Sequence, residues 1–287
     1  MKKYWKLNWR RRIVALQDMF DGRVRKGDVG AEIPENVSII GTQLTPLWIG
    51  AYTTFGENVV IRTGTFIGTR CEINDLVEIG YGCIIGCGVR IHNQTTIQTH
   101  VIIGEYAYIG NNVKIDSSCK IGRVNIDHDA KLESNVFAED YAYIGENTII
   151  KQNAQLSGFS SVGGRCVIES EAKIGRDVKI SDGAIIDAGF KLAAGVRVPE
   201  DAKLNTNTSV TFGNLGTSGR NLMLFIHNDE VLVSVGCQCG ITFDEFNRRV
   251  YNFIETQEES ANQYKDKIAI LTCAKIHLER KIVPKPR

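Results

Sequence analysis

The feature that most restricts the fold of this 287-residue chain is a period of six. Counting in sixes from Ile49 meets Phe55, Ile61, Ile67, Ile73, Ile79, Ile85, Ile91, Ile97, Ile103, Ile109, Ile115 and Ile121. The next member, Ile126, comes one residue early, and the count then resumes through Leu132, Ala138, Ile144 and Ile150 to Leu204. Four places after each anchor stands a small residue, such as Thr53, Val59, Cys71, Cys83, Ala107 or Ala172. A helix repeats every 3.6 residues and a simple strand every two, so neither yields this spacing. A repeat sustained from 49 to 204 marks a solenoid.

The pattern of an aliphatic anchor, often glycine, then a small residue resembles the hexapeptide repeat of left-handed parallel β-helices. The resemblance covers about 37–205 and implies a triangular coil of three hexapeptides, with the left hand implied by the family alone. It also explains why "EYAYIG" at 105–110 and "DYAYIG" at 140–145 lie 35 residues apart: two coils, one of them a residue short. The expected fold is mainly β. It has an N-terminal β cap at 1–36, the β-helix at 37–205, and a C-terminal β-hairpin plus two-helix domain at 206–287. Terminal coils expose strand edges and core, so capping is the ordinary use of both ends. The segment "LMLFI-HNDE-VLVSV" predicts the hairpin, Thr242 with Glu245 starts one helix, and Ser260 with Gln263 starts the other.

Charge and composition narrow the partners. Lys plus Arg number 34 against 33 Asp plus Glu, which excludes a global field for duplex nucleic acid or an anionic membrane. No apolar run approaches the ~20 residues of a membrane span, and the basic start lacks the apolar stretch of a signal peptide. These observations predict a cytoplasmic protein of a bacterial host, with its eight cysteines reduced. Cys71, Cys83, Cys119 and Cys166 occupy inward small-residue slots and read as buried hydrophobes. With no Cys-x-x-Cys pair, no metal is expected.

A second resemblance concerns the ends. "RRIVALQDMFDGRVRKGDVGAEI" at 11–33 and "VLVSVGCQCGITFDEF" at 231–246 are similar to the opening and closing segments of phage and prophage β-helix proteins. That group implies an origin rather than a chemistry.

Three functions are open on these grounds. Tyr106, Tyr108, Tyr141 and Tyr143 are read onto one face, Phe159 one coil further on, and Arg123 in the shortened coil between the Tyr motifs. Aromatic rings beside a guanidinium suit a nucleobase and a phosphate. The first expectation is therefore a phage-like homotrimer that binds or sequesters a small anionic or nucleotide-type ligand such as a cyclic nucleotide immune signal, without catalysis and without a cofactor. The second follows from the β-helix resemblance: an acyltransferase using acetyl-CoA on a sugar or nucleotide sugar. Its general base would come from His92, His100 or His128, with His100 preferred at a corner. The register from 49 to 204 has no insertion, which leaves no loop to wall an active site and argues against it. The third is a structural phage protein.

Two stripes point to self-association. Trp48, Phe66, Ile84 and Ile102 recur every 18 residues just before inward anchors, as do Ile149, Val167 and Ile185. Stacked apolar stripes on a solenoid predict a subunit contact, here a trimer.

Overall fold

A computed structural model describes residues 25–26, 34–41, 47–215, 220–236, 238–256 and 258–282. Most of the N-terminal segment that resembles phage openings lies outside these residues. The repeat folds as a left-handed parallel β-helix whose strands, mostly two residues long, form three parallel sheets of ten, nine and ten strands. Face A runs from Arg25–Lys26 and Trp48–Ile49 to Lys191–Leu192, and face B from Ser38–Ile40 to Lys203–Leu204. Face C runs from Thr54–Phe55 to Arg197–Val198.

The second residue of nearly every strand is the six-step anchor, and from Ile61 to Leu204 the anchors are fully or almost fully buried. Burying one such aliphatic side chain stabilises the fold by about 1.5–3 kcal/mol, so each coil contributes three such terms. The small residues preceding each strand, among them Val59, Cys71, Ala107 and Ala172, are buried as well, because the chain turns there and a larger group would collide across the narrow core. Phe190 breaks the small-residue rule near the C-terminal end, where it joins Met223 and Phe225 in the same core.

Apart from the shortened turn of Gly122, Arg123 and Val124, the turns between faces from Tyr52 to Asp201 each hold one residue at positive φ. Asn and Asp fill many of these positions, as at Asn58, Asn112, Asn147 and Asp201, because their short polar side chains tolerate the left-handed region. Bulky residues hold the same conformation at Tyr106, Tyr141, Phe159 and His100. Strain at a bulky residue persists only where surrounding contacts offset it.

The missing residue is located by register. Tyr108 pairs with Asn125, 17 residues on, whereas Arg90 pairs with Tyr108 at the usual 18. The deletion falls in the turn from face A to face C, so Ile109 and Ile126 still stack inside.

After Leu204 the sequence predicted a hairpin ahead of the helices. The structure instead forms a four-stranded antiparallel sheet of Ser209–Leu215, Arg220–His227, Glu230–Val235 and Gln238–Thr242. The hairpin around Asn228 and Asp229 is its centre. Alternation assigns the two sides of the Arg220–His227 strand. Met223 and Phe225 close the open end of the β-helix core, while Leu222 and Leu224 pack in a second core with Phe243, Phe246 and Leu278 from the helices. The first helix, α1, spans Phe243–Thr256, and the Glu245 N–H donates to Thr242 Oγ1 at its start. The second, α2, spans Glu258–Glu279 and thus begins ahead of the predicted Ser260 cap.

Candidate active site

Three long edges separate the faces, and each is a column of turn residues stacked coil upon coil. The edge between faces A and C carries Tyr106, Arg123, Tyr141, Phe159 and Arg176. The Arg123 guanidinium lies 5.3 Å from the Tyr106 ring centre and 5.5 Å from that of Tyr141. Tyr141 stacks on Phe159 at 4.9 Å and 18°, and Arg176 lies 4.7 Å over Phe159. Arg123 therefore sits where the coil is a residue short, with its guanidinium between the two rings. Tyr106 also lies over Gly88, where a Cβ would approach the ring to 2.7 Å. Tyr108 and Tyr143, expected beside these rings, stand on face C instead, paired with Asn125 between them.

The edge between faces B and A carries His100. The imidazole lies over Gly82, whose added Cβ would meet it at 3.0 Å, and stands edge-on to Tyr81 with ring centres 5.7 Å apart. It is exposed, and no carboxylate pairs with it among the described contacts.

The edge between faces C and B brings the other two histidines together. His92 follows anchor Ile91, and His128 lies two coils on, after Ile126. The His92 ring sits 4.8 Å from that of Tyr108, and its Nδ1 lies 3.4 Å from Asn74 Nδ2. Burial, and then the charge of a protonated His128 nearby, hold the His92 pKa below that of a free imidazole. The lowered pKa favours the neutral ring, the form a proton acceptor needs. Asp127 accepts the His128 backbone N–H at 3.0 Å through Oδ1 and the Tyr143 hydroxyl at 3.1 Å through Oδ2. Burial first, then this bond to Asp127, raises the Tyr143 pKa. Arg90 and Glu72 form an ion pair at 3.2 Å on the adjoining face.

Asp127 and Asn74 were not singled out by sequence reasoning, and His92 and His128 were set behind His100. The signal was present: His92 and His128 fall one and two places after anchors and hence at the same turn. Among the described residues, no group of three His, Cys, Asp or Glu side chains is placed to hold a metal ion. No helix of the described residues is long and apolar enough to cross a membrane.

The protein is a hexapeptide-repeat β-helix protein. Residues 82–117 match the bacterial transferase hexapeptide (six repeats) family. Over 116 residues the chain is 30% identical to the acyl-[acyl-carrier-protein]–UDP-N-acetylglucosamine O-acyltransferase of Campylobacter concisus, covering 35% of this chain and 44% of that protein. The enzyme of the same name from Anaeromyxobacter sp. is 26% identical over 151 residues, 50% of this chain and 56% of its own length. The chain spans about half the length of these curated relatives. Among solved structures, the UDP-N-acetylglucosamine acyltransferase of Campylobacter jejuni is 21% identical, covering 60% of this chain and 68% of its own, with a TM-score of 0.34.

These relatives correct the sequence-based function. The non-catalytic, ligand-sequestering reading is overturned, because the curated relatives carry the name of an acyltransferase. The phage resemblance finds no counterpart among them. The lack of an insertion in the register, taken as an argument against acyl transfer, did not carry that weight.

Proposed function

We propose that the protein is an O-acyltransferase that moves an acyl group from a thioester to a hydroxyl of a sugar nucleotide. The observation that carries this reading is the convergence of His92, Asp127 and His128 on one edge of a solenoid whose repeats resemble those of acyltransferases. Acyl transfer from a thioester to a hydroxyl needs a base to take the hydroxyl proton as oxygen attacks the carbonyl carbon. His92 fits that task better than His100, since its surroundings favour the neutral ring. By the names of the relatives, the donor is an acyl group on a carrier protein and the acceptor is UDP-N-acetylglucosamine; acetyl-CoA is the simpler donor to compare.

The apolar stripes support a homotrimer within this reading. Trp48, Phe66, Ile84 and Ile102 stack in register on face A, with Trp48 and Phe66 at 4.2 Å and 1°. Ile149, Val167 and Ile185 stack on face B. A cyclic assembly uses two different patches per subunit, and two faces provide them.

The test is mass spectrometry of UDP-N-acetylglucosamine incubated with the protein and either acyl carrier protein thioester or acetyl-CoA. The expected result is an acceptor heavier by one acyl group, lost in His92→Ala. Loss in His100→Ala with retention in His92→Ala would move the centre to the other edge. No product from any thioester would sink the reading. Light scattering should give a trimer that Ile84→Arg dissociates.

A further inference from the structure

Along the edge between faces C and B runs a ladder in which each side chain accepts the backbone N–H of the coil before it. The Glu57 N–H donates to Asp75 Oδ1 at 2.8 Å, that of Asp75 to Asn93 Oδ1 at 3.1 Å, and that of Asn93 to Asn111 Oδ1 at 3.1 Å. The last rung differs in kind: the Asn111 N–H donates to His128 Nδ1 at 2.9 Å. Similar rungs are made on the edge between faces A and C by Asp140, to the Arg123 N–H, and further along the ladder's own edge by Asp182, to the Gly164 N–H. Every one of these others is a carbonyl or carboxylate oxygen. Asn or Asp would satisfy the ladder at 128, so the rung alone does not explain an imidazole.

A backbone N–H can only donate, so Nδ1 must present its lone pair. The neutral ring then carries its proton on Nε2. That N–H is not consumed nearby. Asp127 Oδ1 is 3.6 Å away, beyond hydrogen-bond distance, and already accepts the His128 backbone N–H. The His128 side chain is 41% exposed, beside His92, whose protonation it opposes.

We infer that the asparagine ladder fixes His128 in the Nε2–H form, so that it serves as a hydrogen-bond donor to the thioester carbonyl oxygen while His92 acts as base. The inference rests on the acyl-transfer reading. As the hydroxyl proton passes to His92, the new oxygen–carbon bond forms and negative charge collects on the carbonyl oxygen, facing the His128 N–H. The charge then collapses, the carbon–sulfur bond breaks, and the sulfur leaves with the proton returned by His92. The products are an ester and a thiol, and no other reactant is required. A preorganised donor aimed at developing charge is worth about 10²–10³-fold in kcat.

Two measurements test this. Nitrogen-15 NMR of histidine-labelled protein should show His128 Nδ1 as the unprotonated nitrogen and Nε2 as the protonated one. A protonated Nδ1 would overturn the inference and leave acyl transfer standing. His128→Asp keeps an acceptor for the Asn111 N–H, as Asp75 does for Glu57, and has no N–H to donate, so its melting temperature should match the parent, while kcat falls about 10²–10³-fold and the acidic limb of the kcat/KM profile remains. Full activity in His128→Asp would reduce His128 to a rung. Loss of the acidic limb in His128→Asp, with its retention in His92→Gln, would make His128 the base and overturn the division of roles. A wild-type protein inactive with every thioester would instead overturn the acyl-transfer reading, and the donor role with it.

Discussion

Two edges of one prism arise from the same repeat and come to opposite ends. On the edge between faces A and C, rings and guanidinium groups stack upon one another, so that Tyr106, Arg123, Tyr141 and Phe159 use their faces on neighbours. On the edge between faces C and B, each rung spends one polar atom on the backbone of the coil before it. An asparagine rung keeps only its amide NH2, and an aspartate rung only its second oxygen. A histidine rung has a second nitrogen. A column of identical contacts stabilises a solenoid, and it gains chemistry only where one member has functionality to spare.

A change that strikes both edges alike sets the scale. The buried thiols of Cys71, Cys83, Cys119 and Cys166 donate to backbone carbonyls, and burial pushes each pKa from 9.0 to about 11. Thiols of the unfolded chain ionise above about pH 9 and the folded ones do not until about 11. The stability they carry is therefore complete below pH 9 and lost as pH rises toward 11. Each thiol steepens the loss by up to about 1.4 kcal/mol per pH unit. Denaturant midpoints from pH 8 to 11 should fall steeply, and Cys83→Ala should fall less steeply than the parent. Equal slopes would show the thiols ionising freely in the fold.

The next effect separates the edges by activity. His92→Ala should lower kcat/KM by about 10²–10⁴-fold, the usual worth of a positioned base, whereas Tyr141→Ala should leave the rate near the parent value. A rate loss in Tyr141→Ala as large as that in His92→Ala would return the ring edge to the reacting site. The ring edge should answer through stability instead. Arg123→Ala removes two ring contacts of about 0.5–1 kcal/mol each, and urea melts should register a loss of about 1–2 kcal/mol. The smallest effect belongs to the polar ladder. Asn93→Ala leaves the Asp75 N–H, at an exposed turn, to water, and should cost about 0.5–1.5 kcal/mol.

The anchors, the inward cysteines and the shortened coil were legible because burial imposes a strict period on apolar residues. The outward residues obey the same geometry without the same constraint, and there the reading slipped. Tyr106 and Tyr108 are two apart and were read onto one face, yet one belongs to a turn and the other to a strand. The deletion was found, but not that the Arg123 guanidinium would lie against Tyr106 and Tyr141 themselves, because side-chain reach leaves no trace in spacing. His92 and His128 share an edge at offsets that differ by one, which hides the relation from a simple six-step count. Ser209–Leu215 carries Ser, Thr, Asn and Gly, and its pairing is set by Arg220–His227 rather than by its own pattern.

The plug formed by Met223 and Phe225 has a kinetic consequence. Between Trp48 and Leu204 the strands pair with strands 17 or 18 residues away, so ordering can start at any pair of coils and spread like a zipper in both directions. Such growth has no internal signal to stop, and an unfinished end offers three strand edges to another chain. The antiparallel sheet ends it by presenting a side, not an edge, to the open core. A chain released before residue 225 is made would therefore carry its last coil uncovered, and its most adhesive state falls late in synthesis, just before the plug arrives.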